Sequence, residues 1–262
     1  MSEAVARAAR ALSRDGFCLC RGGVDASVVA EARREAGALF RHGLMSPGGF
    51  TIRGRDDAVQ SKRDDQTLWL HEYLNTVGGP ERGGAGTLCA LDGVLSRFGE
   101  AVVRELTRLS RTEEPMGRAD DGGPLHYTGR TDLMLACYPG GGAAYGPHID
   151  NVDGDGRDAL DYGRCFTCVY YLNEAPWDDA ARGGALRVHL APPDRPNDRR
   201  AAFGLARSDH DAVDISPRGD SLVIFRADRV LHEVRPSHAP RYAATMWLYA
   251  GSREAAERAN GS

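Results

Sequence analysis

Apolar residues recur at intervals of three and four along residues 87–109, which is the period of a helix with one buried face. A similar period runs through residues 27–40, where Asp25 is placed to cap the first turn. An Ala/Arg-rich helix is expected over residues 4–13, followed by a strand over 16–20. The first part of the chain is therefore predicted to be mainly helical.

From Thr131 onward the pattern changes to short alternating or fully apolar runs, which are rich in aromatic and β-branched residues. Clusters of Gly, Pro and Asp separate these runs. Short strands that follow helices predict an α+β fold, a double-stranded β-helix (jelly-roll) barrel buttressed by the N-terminal helices. The expected strands are residues 132–138, 165–172, 184–188, 212–215, 221–225, 230–234 and 242–249.

The length of 262 residues is typical of one sizeable domain, which we expect to span 1–262. Within it, residues 1–128 are predicted to supply helical support and a long loop, and residues 129–251 the core of the barrel. Three polar, turn-rich segments are expected to be surface loops. Long loops inside a compact domain are usually functional or disordered, and both interpretations remain open for the first of them. These segments are 47–66, 152–163 and 191–210.

The overall charge disfavours nucleic-acid binding, because 33 basic and 37 acidic residues give a formal net charge of -4. No apolar run approaches the roughly 20 residues of a membrane span, so no membrane association is expected. The six cysteines lie mostly within apolar runs and not in a spaced framework, which favours free thiols in the cytoplasm or nucleus. A weak transit peptide at the N-terminus stays open, and nothing in the sequence indicates an oligomeric state.

His148 and Asp150 are two residues apart at the expected mouth of a strand. Residues at this spacing face the same side of an extended chain, so an imidazole and a carboxylate could bind one metal ion. His232 lies on a later strand-like run and could complete a triad of two histidines and one carboxylate, which leaves coordination positions open in non-haem Fe(II) oxygenases. The His-x-Asp pattern alone is weak, because a core histidine satisfied by hydrogen bonds is more common than a ligand.

Arg241 strengthens this interpretation. Alternation along the last expected strand places Arg241, Ala243, Thr245 and Trp247 on one face. An arginine aimed into a barrel is costly unless an anion meets it, and its planar guanidinium suits a carboxylate. The distal carboxylate of 2-oxoglutarate is such an anion.

The C-terminal half resembles the hypoxia-inducible-factor type prolyl hydroxylases, a family of Fe(II)- and 2-oxoglutarate-dependent dioxygenases. The resemblance is dense over residues 131–251 and reaches back more loosely to Gln60-Ser61-Lys62 and Trp69. The matching motifs are Gly129-Arg130-Thr131, Ala136-Cys137-Tyr138-Pro139-Gly140, His148-Ile149-Asp150-Asn151, Arg164-Cys165, Thr167-Cys168, Tyr170-Tyr171-Leu172-Asn173, Gly183-Gly184-Ala185-Leu186-Arg187, Phe225-Arg226-Ala227-Asp228-Arg229, His232-Glu233-Val234 and Arg241-Tyr242-Ala243.

The resemblance implies that His148, Asp150 and His232 are the iron ligands. It also implies that Arg241 and Tyr171 bind the distal carboxylate of 2-oxoglutarate. The remaining implied positions are Thr245 and Leu186 lining that pocket, Tyr138 near the co-substrate, Trp247 beside the substrate proline, and an Asp65–Arg164 pair tying a loop over the site.

The implied activity is hydroxylation of a prolyl residue, at the 4-position, in a protein or peptide substrate. Fe(II), 2-oxoglutarate, O2 and ascorbate are the implied cofactors, succinate and CO2 are released, and oxygen sensing is a role of this family. Residues 152–163 and 191–210 are longer than the family pattern and are expected to flank the substrate side. The identity of the substrate is therefore the property that the resemblance predicts least well.

Three alternatives are kept: a hydroxylase of a free amino acid, a catalytically silent iron- and 2-oxoglutarate-binding sensor module, and a zinc-loaded β-barrel hydrolase or isomerase. The third has no need of Arg241. A CxxC zinc site is not expected either, because Cys165 and Cys168 should point to opposite faces of a strand and no second pair exists.

Overall fold

The computed structural model describes residues 2–48, 63–109, 125–151, 164–190 and 212–251, which form two antiparallel sheets and flanking helices. The helices are α1 (Ser2–Asp15), α2 (Ala26–Arg41), α3 (Leu70–Val77), α4 (Pro80–Gly83), α5 (Gly86–Leu109) and α6 (Asp179–Arg182). The strands are β1 (Phe17–Arg21), β2 (Ser46–Pro47), β3 (Gln66–Trp69), β4 (His126–Arg130), β5 (Met134–Tyr138), β6 (Ala143–His148), β7 (Arg164–Tyr171), β8 (Leu186–His189), β9 (Ala212–Ile215), β10 (Ser221–Arg226), β11 (His232–Ser237) and β12 (Arg241–Gly251).

The larger sheet has the order β1-β10-β7-β12-β5-β3-β2, and β4 also pairs with β12. The smaller sheet has the order β6-β11-β8-β9. Apolar side chains from both sheets form one buried cluster, which includes Val169 and Phe225 of the larger sheet and Val188 and Val234 of the smaller one. The two sheets therefore enclose a shared interior, as expected of the double-stranded β-helix.

A second buried cluster lies between the other face of the larger sheet and the helices. Leu12 of α1, Ala36 of α2 and Leu91 of α5 belong to it, together with Leu248 of β12. A Cβ atom at Gly99 of α5 would lie 2.9 Å from Leu248 Cδ1, so glycine there permits close helix–sheet contact. The predicted buttress of N-terminal helices is confirmed.

Most predicted elements are confirmed, with shifted ends. The helices expected over 4–13, 27–40 and 87–109 are α1, α2 and α5. Asp25 caps α2 by accepting a hydrogen bond from Ser27 N at 2.8 Å. The strand expected at 230–234 begins later, at His232. Strands β2, β3, β4 and β6 and helices α3, α4 and α6 were not predicted.

The prediction that Cys165 and Cys168 face opposite sides is wrong. Both belong to the cluster beneath the helices. The cause is a register shift between Leu248 and Tyr249 of β12, where Arg164 and Phe166 pair with consecutive residues and Cys165 is left at a bulge.

The loops expected over 152–163 and 191–210 lie outside the described residues, as does most of 47–66. The two described ends of the 47–66 segment belong to strands β2 and β3, which pair with each other. Across the described ranges, no helix combines the length and the apolar character needed to cross a membrane.

Candidate active site

Strand pairing brings two histidines together at one end of the smaller sheet. His148 is the last residue of β6, His232 is the first of β11, and the two are direct Cα partners. Their ring centroids are 4.1 Å apart. Asp150 follows β6, with Oδ1 3.4 Å from His148 Nε2 and 3.7 Å from His232 Nε2. The three residues thus offer ligand atoms within 4.8 Å of one another, as the sequence predicts.

Each imidazole is oriented by a backbone carbonyl. His148 Nδ1 lies 2.8 Å from Gly146 O, and His232 Nδ1 lies 3.0 Å from Val230 O. A carbonyl only accepts hydrogen bonds, so each Nδ1 carries a proton, and in the neutral imidazole each Nε2 therefore keeps its lone pair. Both Nε2 atoms face Asp150, which is the arrangement of metal-binding histidines.

The charges of the triad also suit a cation. Burial alone would raise the pKa of Asp150, but His232, His148 and the Thr167 hydroxyl lower it well below its usual value. Burial, assisted by His148, lowers the pKa of His232 to about 4. A neutral imidazole and an ionised carboxylate at neutral pH are the protonation states that metal coordination requires.

Arg241 begins β12 opposite Tyr138 and is only 2% exposed. Its Nε donates to Gly184 O at 2.8 Å, and its guanidinium carbon lies 4.8 Å and 5.0 Å from the ring centroids of Tyr138 and Tyr171. Ala243 and Trp247 belong to the cluster between the sheets, so the predicted inward face of β12 is confirmed.

The surroundings of Arg241 fit a bound carboxylate. In the described part of the chain no carboxylate pairs with Arg241, although a buried cation without an anion is unfavourable. The buried Tyr171 hydroxyl likewise has no hydrogen-bond partner there. Burial raises the pKa of Tyr171, which Arg241 opposes, so the hydroxyl keeps its proton for donation. Leu186 and Thr245, expected to line this pocket, are both buried.

The predicted substrate-side residues are only partly brought together. Arg164 lies with its guanidinium carbon 4.4 Å from the Trp247 ring centroid, and the Trp69 and Trp247 ring centroids are 6.0 Å apart. Asp65 does not pair with Arg164, so that predicted pair is wrong. Asp65 instead accepts from Arg63 Nε at 2.5 Å and Nη2 at 3.0 Å, because the two side chains are two residues apart in an extended segment.

Three residues beside the triad were not predicted. Thr167 Oγ1 donates to Asp150 Oδ2 at 2.6 Å. Tyr145 stacks on His148 with centroids 3.7 Å apart, and the Arg63 guanidinium carbon lies 4.9 Å from the Tyr145 ring. The alternation of the strand predicted over 165–172 could have placed Thr167 inward, whereas Tyr145 lies on a strand without a sequence signal.

Comparison with known proteins extends this picture. The 2OG-Fe(II) oxygenase superfamily model matches residues 133–249. Prolyl hydroxylase EGLN3 of Mus musculus is 33% identical over 249 residues, covering 93% of this chain and 81% of that protein. Egl nine homolog 1 of Mus musculus is 31% identical over 243 residues, covering 91% of this chain but 48% of that protein, so the chain spans about half its length.

A solved structure is similar over nearly the whole chain. It is a prolyl hydroxylase from Trichoplax adhaerens in complex with a peptide fragment of the hypoxia inducible factor oxygen degradation domain. The TM-score is 0.64 at 28% identity, and the alignment covers 98% of this chain and 94% of that one.

Proposed function

Because the chain belongs to the Egl nine (hypoxia-inducible-factor type) prolyl hydroxylase family of 2-oxoglutarate- and Fe(II)-dependent oxygenases, we propose that it hydroxylates a prolyl residue in a protein or peptide. Following the same resemblance, we take the ring 4-position as the site of attack. The reaction consumes 2-oxoglutarate and O2 and releases succinate and CO2. Ascorbate supports it by keeping the iron reduced.

The observation that carries this proposal is that one barrel holds both the triad and a buried arginine that pairs with no carboxylate among the described residues. His148, Asp150 and His232 supply two nitrogens and one oxygen, the donor set of non-haem Fe(II) oxygenases with open coordination positions. Arg241 supplies the cation for the distal carboxylate of the co-substrate. A zinc hydrolase needs a metal site but has no use for this second, anion-binding pocket.

The chain's own residues would bind and orient the reactants. Arg241 and the Tyr171 hydroxyl donate to the distal carboxylate, with Leu186, Thr245 and Tyr138 enclosing the pocket. The enclosed pocket excludes water, which strengthens these charged contacts. The bound iron supplies the activation of dioxygen that allows attack on a carbon–hydrogen bond.

A polypeptide substrate is favoured by the residues around Trp247. Trp69 and Arg164 lie against Trp247 and remain partly exposed, so an aromatic surface lies next to the metal ligand Asp150. A proline ring packs well on aromatic faces. We propose that Trp247 contacts the target proline and that Arg164 binds the flanking peptide. For Asp65 we propose an indirect role, in which its ion pair fixes Arg63 at the substrate side.

The cytoplasm or nucleus is the compartment that we propose for this protein. All six cysteines are unpaired, and four of them are buried. Free thiols are typical of reducing compartments. An oxygen-sensing role is carried over from the family resemblance as part of the proposal.

The test is turnover of purified, anaerobically Fe(II)-loaded protein with 2-oxoglutarate, ascorbate and a panel of proline-containing peptides, with free proline as a separate arm. The proposal predicts peptide-stimulated succinate formation and one added oxygen atom on a prolyl residue, both lost in His148→Ala. Binding of Fe(II) and 2-oxoglutarate without turnover on any substrate would support the silent sensor module. Hydroxylation of free proline alone would support the amino-acid hydroxylase.

A further inference from the structure

The two oxygens of Asp150 have different partners. Oδ1 faces the Nε2 atoms of His148 and His232, at 3.4 Å and 3.7 Å. Oδ2 accepts two hydrogen bonds, from Thr167 Oγ1 at 2.6 Å and from Trp247 Nε1 at 3.0 Å. One carboxylate oxygen is thus directed at the metal position, and the other is directed away from it.

This division follows from the register of both sheets. His148 and His232 are Cα partners in the smaller sheet, and Thr167 and Trp247 are Cα partners in the larger sheet. Asp150 lies beyond the end of β6, so its own strand no longer fixes it by ladder hydrogen bonds. Its carboxylate spans the interior from one cross-strand pair to the other.

Trp247 is itself held in place. Its backbone nitrogen donates to Thr131 Oγ1 at 3.0 Å, and the Arg164 guanidinium covers its ring. Thr167 lies on β7 and is 2% exposed. Both donors to Asp150 Oδ2 are therefore fixed by structure that does not depend on a metal.

We propose that Thr167 and Trp247 are positioning residues that make Asp150 a ligand through Oδ1 alone. A carboxylate that binds a metal through both oxygens must bring both of them within bonding distance of the metal. Two hydrogen bonds on Oδ2 hold that oxygen out of reach, and the coordination position it would fill stays open for the co-substrate and O2. The inference rests on the proposed function, because it takes the bound metal to be Fe(II).

The competing interpretation is that the two donors only satisfy a buried carboxylate. In that case their removal would lower the stability of the fold and leave the metal's coordination unchanged. Metal affinity and coordination number therefore separate positioning from a structural role.

The experiment measures anaerobic Fe(II) binding and the Co(II) absorption spectrum for wild type, Thr167→Val, Thr167→Ser and Trp247→Phe. Thr107→Val on α5 is the control, because it makes the same change at a half-buried threonine whose hydroxyl donates to Val103 O and not to a ligand of the metal. Changes in residues that orient ligands typically weaken metal binding about 10- to 100-fold, and we expect at least tenfold for Thr167→Val and Trp247→Phe. Thr167→Ser, which keeps the hydroxyl, and Thr107→Val should bind Fe(II) like the wild type.

The Co(II) spectra of Thr167→Val and Trp247→Phe should also shift toward a higher coordination number. Wild-type affinity and an unchanged spectrum in both folded variants would overturn the proposal. If either variant does not fold, X-ray absorption of the Fe(II)-loaded wild type provides the test instead. A carboxylate bound through both oxygens would then overturn the proposal. A wild type that binds no Fe(II) would instead refute the proposed function.

Discussion

Tyr171 and Arg241 form a buried pair in which, among the described residues, the guanidinium has no carboxylate partner and the hydroxyl has no hydrogen bond. The Arg241 guanidinium carbon lies 5.0 Å from the Tyr171 ring centroid, and the Tyr171 hydroxyl has no hydrogen-bond partner among the described residues. Buried polar groups in folded proteins are nearly always hydrogen-bonded. A carboxylate in this position would satisfy both side chains.

Replacing Arg241 should weaken the binding of 2-oxoglutarate without removing the metal. Hydrogen bonds to a charged group contribute about 1.5–3 kcal/mol, so the KM for 2-oxoglutarate in Arg241→Ala should rise about 10- to 100-fold. Arg241→Lys keeps the charge but not the planar pair of donors, so its KM for 2-oxoglutarate should lie between those of the wild type and Arg241→Ala. Steady-state kinetics and Fe(II) titration test this prediction. An unchanged KM in Arg241→Ala would show that 2-oxoglutarate does not bind in this pocket.

Tyr171→Phe should have opposite consequences for binding and for stability. The hydroxyl makes no hydrogen bond within the described protein, so its loss should leave the free energy of unfolding of the ligand-free protein unchanged or slightly increased. Affinity for 2-oxoglutarate should fall by up to about tenfold. Calorimetry with 2-oxoglutarate and urea unfolding measure the two effects. A clear loss of stability with no loss of affinity would show that the hydroxyl serves the fold.

Removing one ligand of the triad should abolish metal binding while the fold persists. His232→Ala is expected to weaken Fe(II) binding by at least about 100-fold, which is more than changes around a ligand usually cause. His238 is exposed and provides the matched control, because His238→Ala should bind Fe(II) normally. Fe(II) titration under anaerobic conditions tests this, together with circular dichroism. Wild-type affinity in His232→Ala would place the metal elsewhere.

A contact between helices α2 and α5 is expected to stabilise the helical layer that packs on the barrel. Glu35 of α2 accepts hydrogen bonds from the backbone nitrogens of Thr87 at 2.9 Å and Leu88 at 2.8 Å, which begin α5. Loss of such a cap costs about 0.5–2 kcal/mol, so Glu35→Ala should lower the free energy of unfolding by that amount. Glu81→Ala, at an exposed position, should have little effect. Urea unfolding of both variants is the measurement, and equal stabilities would contradict the capping role.

The sequence predicted elements whose signal is local and missed those that depend on pairing. Helix α5 follows from a regular apolar period, and strand β9 has the predicted bounds of 212–215. Strand β6 has no such signal, because Gly146 and Pro147 reduce its strand propensity. Pro147 is tolerated there because β6 lies at the edge of the smaller sheet.

The candidate site divides in the same way. The spacing of His148 and Asp150 and the alternation that turns Arg241 inward are properties of a single segment, and both were predicted. Which side chain supports Asp150 depends on the register between β7 and β12, which the sequence does not encode locally. The expected Asp65–Arg164 pair is wrong for a different, local reason: Arg63 is only two residues from Asp65 and occupies both of its carboxylate oxygens.

The most direct test of prolyl hydroxylation follows the two atoms of dioxygen. Fe(II)-loaded protein is incubated with 2-oxoglutarate and a proline-containing peptide under 18O2, and both products are analysed by mass spectrometry. Prolyl hydroxylation by this chain predicts one labelled oxygen in the hydroxylated prolyl residue and one in succinate, in equal amounts, with no product in Asp150→Ala. Oxidation of 2-oxoglutarate that no peptide stimulates, with no label on proline, would contradict prolyl hydroxylation as the function of this chain.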